Sequence, residues 1–307
     1  METSDKDRIN FISTIIPVYN DPIGIKVTLD SLIKQDYPRD RFELLVIDNN
    51  SSDNTREIVS EYVKKYAGKV FLLVEGKIQS SYAARNRGIR AARGEHLAFL
   101  DSDMWADRNW FKIIAKSFED PKIGYVGFNI RIHPSGKSLV GLYNALTGFP
   151  IGTYMKESHF AGAGCIAVRR SAFKKIGLFD YRMISGGDAE FGDRCWRGNV
   201  GQSFNDDYLL HHPARESFRS LMKKEFRVGR GQRQLADRYP KRFGNNRSAL
   251  GSINLFLPPN PVELARKIRK SKLRKVSLRD FLVYYLIGLS SKFSRNLGHS
   301  YEGFSQR

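Results

Sequence analysis

The sequence predicts an α/β fold: a doubly wound, mostly parallel sheet followed by a basic helical C-terminal extension. Three observations point to it. Short apolar runs alternate with helical stretches over the first hundred or so residues, each run stops in a polar loop, and the excess positive charge is gathered toward the C-terminal end. Such alternation is what βαβ units need, because parallel neighbours must be joined by a crossover that packs on the sheet.

The first run, Ile12 to Val18, is stopped by Pro17 and the turn-prone Asn20-Asp21-Pro22, and a helix is expected from about Gly24 to Gln35. The second, Phe42 to Ile47, ends at Asp48 and the polar cluster Asn49 to Asn54. The third, Val70 to Val74, leads into a segment from Ser80 to Arg93 rich in Ala and Arg, and the fourth, His96 to Leu100, ends at Asp101. In sheets of this class ligands bind beyond the carboxyl ends of the strands. Tyr19, Asn20, Asp48, Asn49, Asp101 and Asp103 are therefore expected to share one cleft. After residue 121 the alternation weakens. Val126 to Ile132 and Cys165 to Val168 read as strands, and Gly186 to Gly198 as a Gly-Gly turn opening a short helix. Ser217 to Tyr239 and Pro261 to Arg295 read as basic helices, with a Pro-rich linker from Ser252 to Pro261 between them.

With 307 residues, 41% of them hydrophobic, the chain can bury a full core. Mean hydropathy is −0.43, and the apolar stretch Phe281 to Leu289 is far shorter than the ~20 residues of a membrane span. The N-terminal Met-Glu-Thr-Ser-Asp-Lys-Asp is unlike a signal peptide, so a cytoplasmic protein is expected. Cys165 and Cys195 belong to no CxxC pair and are read as reduced structural thiols. Residues 206–307 hold 22 Lys and Arg against 8 Asp and Glu, a net +14 of the chain's +19. Charge so placed calls for an anionic partner: nucleic acid, a phospholipid surface or a phosphorylated substrate.

The most specific signal is Phe99-Leu100-Asp101-Ser102-Asp103, a hydrophobic strand ending in Asp-x-Asp. Two carboxylates so spaced can face a hard divalent cation, Mn²⁺ or Mg²⁺, with a bridging diphosphate completing its shell. Such a cation neutralises charge on a departing nucleoside diphosphate. Alone, the motif also fits a solvated turn. Three more motifs stand in order at the ends of successive elements: Pro17-Val18-Tyr19-Asn20, Ile47-Asp48-Asn49-Asn50-Ser51-Ser52-Asp53 and Ala84-Arg85-Asn86-Arg87-Gly88. Together with Asp-Ser-Asp they resemble the inverting family 2 glycosyltransferases, which have the GT-A fold. The ordered set covers residues 11–103, and weaker matches continue to about residue 215.

The resemblance implies a metal-dependent inverting transferase that moves one sugar from a nucleotide-sugar donor, a UDP-sugar, onto a hydroxyl acceptor. Pro17, Tyr19 and Asn20 take the floor of the nucleotide pocket, and Asp48 and Asn49 the positions against base and ribose. The family often has a second Asp where this chain has Asn49. Arg85 and Asn86 fall beside the ribose and sugar phosphate, although Arg85 fits equally a solvated helix charge. Asp101, Ser102 and Asp103 are donor-binding. Within Ser185 to Arg194, Asp188 takes the place of the general base, with Gly187 where the family has Glu, and Glu190 is the runner-up. A helix N-terminus at Asp188 would lower its pKa, and a simple N-cap is the alternative role. His212, preferred to His211, would complete a metal site with Asp101 and Asp103, or be an ordinary satisfied histidine. Phe160 to Gly164 lacks a dinucleotide fingerprint, and its small residues resemble the strand whose backbone approaches the donor sugar. Trp105, Trp110 and Trp196 read as packing residues, Trp196 being the one that could serve a sugar. The Gln-x-x-Arg-Trp motif of processive synthases is absent, so single transfer is expected.

Residues 1–215 are thus expected to form the catalytic domain, with a nucleotide-sugar half at 1–105 and an acceptor half at 106–215, and 216–307 the basic extension. Arg266, Lys267, Arg269, Lys270, Lys272, Arg274, Lys275 and Arg279 precede the apolar Phe281 to Ile287. That order suggests docking on anionic lipid at the inner face of the cell membrane, with packing onto the catalytic domain as the alternative. A lipid-linked acceptor or a cell-surface glycan precursor follows. Nucleic acid is not expected, since the tail supplies no aromatic-basic groove. A nucleotidyltransferase usually carries a Gly-rich, Arg-containing loop after its first strand, where this chain has Pro17 to Asp21.

Overall fold

The computed structural model describes residues 11–136, 138–244, 259–271 and 276–305. The expected linker as far as residue 258, and Lys272, Arg274 and Lys275, lie outside the described residues. The chain divides into two compact units. One comprises Met1–Arg131, Ile151–Arg182 and Asp188–His212, and the other Ile132–Pro150, Met183–Gly187 and Pro213–Arg307.

The first unit is built on an eight-stranded sheet. Its strands are β1 (Ile12–Val18), β2 (Phe42–Asp48), β3 (Val70–Val74), β4 (His96–Leu100), β5 (Trp105–Ala106), β6 (Ile123–His133), β7 (Cys165–Arg169) and β8 (Gly201–Pro213). Their spatial order is β3-β2-β1-β4-β7-β6-β8-β5. Parallel pairing runs through β3-β2-β1-β4, whereas β4–β7, β6–β7 and β5–β8 are antiparallel. β6 and β8 run in the same direction, since Gly201 lies against Lys122 O and Asn129 donates to Asp206 further along. The sheet is thus mixed but mostly parallel, as expected, with β7 and β5 running against the other strands. β1, β2 and β4 are buried at every position. Strands covered on both faces read as continuous apolar runs rather than alternating ones, which is why they were visible in the sequence.

The crossovers between the parallel strands carry α1 (Pro22–Ile33), α2 (Thr55–Lys65) and α3 (Ser81–Ala91). Asp21 caps α1 by accepting from Gly24 N at 2.9 Å, and Pro22 stands where its missing N–H costs nothing. α3 lies close on the sheet through Gly88, where a Cβ would come within 2.6 Å of Ile15 and 2.8 Å of Ile47. Buried Glu43 is paired, accepting from Ser13 Oγ at 2.6 Å and Arg93 Nε at 2.7 Å. The remaining helices of this half are α4 (Trp110–Ser117), α6 (Ile151–Ser158), α7 (Arg170–Ile176) and α8 (Gly187–Arg197), while α5 (Leu139–Thr147) belongs to the second unit. Trp110 is fully buried. Cys165 and Cys195 are buried and free, and burial raises both thiol pKa values, Cys195 to about 12. Such thiols remain protonated and inert.

The second unit is helical, with α5, α9 (Phe218–Arg238), α10 (Pro240–Phe243), α11 (Pro261–Lys270) and α12 (Leu278–Ser305). Leu142, Leu221, Leu264, Tyr284 and Ile287 form its small core. α9 and α12 lie side by side in the same direction, since Met222 meets Ser294 and Arg230 meets Glu302. Their backbones approach at two glycines: a Cβ on Gly229 would lie 1.8 Å from Arg295 O, and one on Gly298 2.0 Å from Phe226 O. Burial pushes the Glu225 pKa up, but Arg295 and Lys224 outweigh it and hold the carboxyl below its usual value. The expected helix from Pro261 to Arg295 is two helices, and the second runs on to Ser305. Among the described residues no helix is long and apolar enough to cross a membrane.

Candidate active site

The carboxyl ends of β1, β2 and β4 bring the expected polar residues together. Pro17 is buried within β1, and Tyr19, just past its end, is 52% exposed. Asn20 has φ 48°, a left-handed conformation that Asn tolerates well. Its N–H donates to Ser51 Oγ at 2.9 Å and its Oδ1 accepts from Ser52 N at 2.8 Å, which ties the β1 loop to the β2 loop. Asp48 is fully buried and accepts from the backbone of Asn50 and Ser51 and from Arg56 Nε at 2.6 Å. Asn49 commits its two N–H donors to Glu75 O and Ile78 O, both at 2.8 Å, and so shapes the loop after β3.

The Asp-Ser-Asp turn is held from α1. Ser102 Oγ donates to Asp21 Oδ2 at 3.1 Å, and Thr28 Oγ1 donates to Met104 O at 2.6 Å. Asp101 accepts from Arg85 NH2, whose side chain is only 5% exposed. A buried guanidinium is stable only with a carboxylate beside it, so Arg85 is not a solvated helix charge. Asn86 is a clamp: it donates to Phe179 O at 2.9 Å and accepts from Phe179 N at 3.1 Å.

The antiparallel pairing of β4 and β7 sets Leu100 opposite Cys165. The turn before β7 therefore lies against Asp101. A Cβ on Gly164 would fall 2.5 Å from the Asp101 carboxyl carbon, and one on Gly162 would be 3.9 Å from Asp188 Oδ2. Asp101, Arg85 and Asp188 thus gather around Gly162-Ala163-Gly164. Asp188 sits in the first turn of α8, where Ala189 N donates to it at 3.0 Å. Its pKa is nevertheless raised: burial pushes it up, and the helix N–H groups and Arg85 only partly offset that. This corrects the expected lowering, because desolvation outweighs the helix terminus. Glu190 is 1% exposed and forked onto Arg194, with Nε at 2.8 Å from Oε1 and NH2 at 2.9 Å from Oε2. Arg194 in turn donates to Leu178 O at 2.7 Å.

β8 supplies the histidines. It was not expected as a strand, because Asn205-Asp206-Asp207 interrupts its apolar pattern, Asp206 and Asp207 being exposed. His211 Nε2 is 2.9 Å from Asp107 Oδ1, and its ring stacks on Trp105 with centroids 5.4 Å apart. His212 Nε2 lies 3.5 Å from Asp103 Oδ2. Among the described residues no group of three or more His, Cys, Asp or Glu is arranged around a common point. Asp103 and His212 face each other there, and Asp101 is paired with Arg85. A part-exposed carboxylate beside an imidazole fits a divalent cation that draws its other ligands from a diphosphate and water. Trp196 is half exposed and stacks on His159, centroids 3.8 Å apart.

Sequence reasoning missed Asp21, Thr28, Arg56 and Gly164. Asp21 carried a signal, as the residue before Pro22 at a helix start. Gly164 carried one only as part of a small-residue run.

A mixed sheet with acidic residues at the end of its fourth strand and helices after it defines the GT-A class of fold. A family model for glycosyl transferase family 2 matches residues 13–177. The chain belongs to that family. It is 32% identical over 293 residues to the glycosyltransferase AglE of Haloferax volcanii, covering 94% of each chain. It is 25% identical over 232 residues, 72% of each chain, to the dolichyl N-acetyl-alpha-D-glucosaminyl phosphate 3-beta-D-2,3-diacetamido-2,3-dideoxy-beta-D-glucuronosyltransferase of Methanococcus voltae. Among solved structures, the mannosyltransferase PcManGT of Pyrobaculum calidifontis, in complex with GDP-Man and Mn²⁺, superposes with a TM-score of 0.65. Identity is 17%, covering 96% of this chain and 88% of that one. S. aureus TarS 1–349 with UDP-GlcNAc gives a TM-score of 0.55 at 20% identity, covering 96% and 92%. At these identities the two structures bear on the fold.

Proposed function

We propose that the chain transfers a single sugar from a nucleotide-sugar donor, a UDP-sugar, to a hydroxyl of a lipid-linked acceptor, with inversion at the anomeric carbon. The observation that carries this is the meeting of Asp101, Arg85 and Asp188 around the Gly162–Gly164 turn. Gly164 lets the Asp101 carboxyl lie against the turn, and Gly162 puts no side chain beside Asp188. Residues 1–215 carry the reaction. Pro17, Tyr19 and Asn20, with Asp48 and Asn49, form the nucleotide side, and Arg85, Asn86, Asp101 and Ser102 the sugar-phosphate side.

Asp188 is the base in this reading. A carboxyl whose burial raises its pKa is a stronger base than an exposed one, and takes the acceptor proton as the new C–O bond forms. Glu190 is the weaker alternative, since both its oxygens are engaged by Arg194. Arg85 offsets negative charge that a donor diphosphate brings to Asp101. Asp103 and His212, with Asp101, would hold Mn²⁺ or Mg²⁺, the imidazole favouring Mn²⁺. Such an ion supplies charge neutralisation on the leaving diphosphate.

The relatives support the substrate classes. GDP-Man and UDP-GlcNAc are bound in the two structural neighbours, and the Methanococcus relative is named for a dolichyl phosphate acceptor. The basic extension, with +14 over residues 206–307, fits an anionic membrane surface, the inner face of the cell membrane. A panel of nucleotide sugars tests the reaction. Release of nucleoside diphosphate is expected from one donor. Release of pyrophosphate instead would make the enzyme a nucleotidyltransferase.

A further inference from the structure

α12 is inside out. Ten of its residues are exposed, and eight of those are large and apolar, the others being Arg279 and Ser305. The exposed set opens at Leu278 and closes at Phe304. Between them Leu282, Leu286, Leu289, Phe293, Leu297 and Tyr301 recur every three or four positions, one stripe along a helix. The buried side of the same helix holds Tyr284 and Ile287 in its first half, and otherwise Gly288, Ser291, Gly298, His299 and Glu302. A surface helix in water turns polar side chains outward instead. At ~1.5 Å per residue the stripe runs about 39 Å, longer than the scattered apolar residues of an ordinary surface.

We infer that this stripe is the element that enters lipid, with α12 lying flat in the interface of an anionic membrane. The inference rests on the membrane reading above and names the part of the chain that carries it. Charge selects lipid over a second copy of the chain. Two C-terminal ends carrying +14 each over residues 206–307 would repel if their stripes were joined. Basic residues accompany the stripe instead: Arg219, Lys223 and Arg227 are exposed at four-residue spacing on α9, and Arg266 and Lys267 on α11. Lys292, next to Phe293, and Lys267 also line a cavity of about 430 Å³ with Tyr143, Tyr284 and Tyr285. Cations beside aromatic rings at the edge of an apolar stripe suit lipid phosphates, which apolar contact alone would not select.

The test uses the full chain and vesicles of phosphatidylcholine with or without about 30% phosphatidylglycerol. The unaltered chain sediments with the anionic vesicles at low salt. Combining Leu286→Ser, Phe293→Ser and Leu297→Ser lowers vesicle partitioning by at least about tenfold. Being exposed, these positions leave the fold and the release of nucleoside diphosphate intact. In a second variant, Phe293→Trp, emission shifts to the blue on adding anionic vesicles, relative to the parent chain. Partitioning unchanged in the triple variant, with no blue shift, overturns the stripe and leaves the membrane reading standing. No sedimentation with either vesicle at low salt overturns both. A dimer in buffer that the triple variant dissociates assigns the stripe to a second copy and overturns the inference.

Discussion

The Arg85 guanidinium donates to the Asp101 carboxylate from a position almost sealed from solvent, and its charge also acts on Asp188. One buried cation therefore serves two carboxylates that the chain separates by 87 positions. Removing it leaves Asp188 with only backbone N–H groups against its desolvation and takes the ion-pair partner from the part-exposed Asp101.

Arg85→Met should accordingly raise the pKa of Asp188 further. The base acts only when ionised, so transfer increases with pH through that pKa. In the unaltered enzyme the acid limb of the pH–rate profile is expected above the usual carboxylate range, about 4. In Arg85→Met it moves to still higher pH, together with a loss of kcat. A pH series of kcat/KM for both proteins checks the sign, and a limb moving downward would contradict it. Asp188→Asn should abolish the limb and lower kcat by about two to four orders of magnitude.

Asp103→Asn should reduce turnover by at least about a hundredfold while leaving the melting temperature nearly unchanged, because its side chain is 39% exposed and the replacement is isosteric. His212→Ala should act in the same direction. Chelation by EDTA should stop transfer, and Mn²⁺ should restore it. Full activity in chelator would remove the cation from the reaction.

The four-strand parallel half was legible because β1, β2 and β4 are buried on both faces, which leaves an apolar run that polar loops punctuate. The cleft was legible for the same reason, since Asp48 and Asp101 mark the ends of those runs. What stayed hidden depends on long-range pairing. β8 has an exposed acidic middle, Asp206 and Asp207, and its contact with β5 is set by register rather than by apolar pattern. The commitment of Asn49 and Asn86 to backbone partners 26 to 93 positions away has no local signal either. Nor does the burial that lifts Asp188, which local helix reasoning assigned the opposite sign. The exposed stripe of α12 was present in the sequence as an apolar helix, but not the side it turns outward.

Gly164→Ala should damage activity at small cost in stability. Its Cβ would fall 2.5 Å from the Asp101 carboxyl carbon, and the carboxylate must turn away from it. The carboxylate can do so because it is part-exposed, but its bond to Arg85 then lengthens or breaks. A tenfold or larger fall in kcat/KM is expected, about 1.4 kcal/mol or more in transition-state binding. Kinetics beside a thermal melt separate this from unfolding.

Glu190→Gln should behave in the opposite way. The buried pair with Arg194 ties α8 to the carbonyl of Leu178, and breaking it should cost about 3 kcal/mol of stability. Below its lowered melting temperature the variant should retain transfer. Loss of transfer with unchanged stability would make Glu190 the base in place of Asp188.

His96 gives the last prediction. It lies in β4, 1% exposed, with its ring stacked on Phe118 at 4.5 Å between centroids and neither ring nitrogen hydrogen-bonded. Burial, and secondarily Arg169, lower its pKa from 6.5 to about 4. Between those values the unfolded chain binds a proton that the folded chain refuses, so stability rises with pH across the window and is fully present above it. At pH 4 the penalty amounts to roughly 3 kcal/mol, a large part of a typical domain's stability. His96→Leu removes the titrating group without stranding a partner, because the ring has none to lose. Urea unfolding between pH 4 and 7 should therefore be markedly less pH-dependent in the variant, with the difference closing above pH 6.5. If the two proteins lose stability in parallel as the pH falls, the acid sensitivity resides elsewhere and the imidazole is not neutral for the reason given.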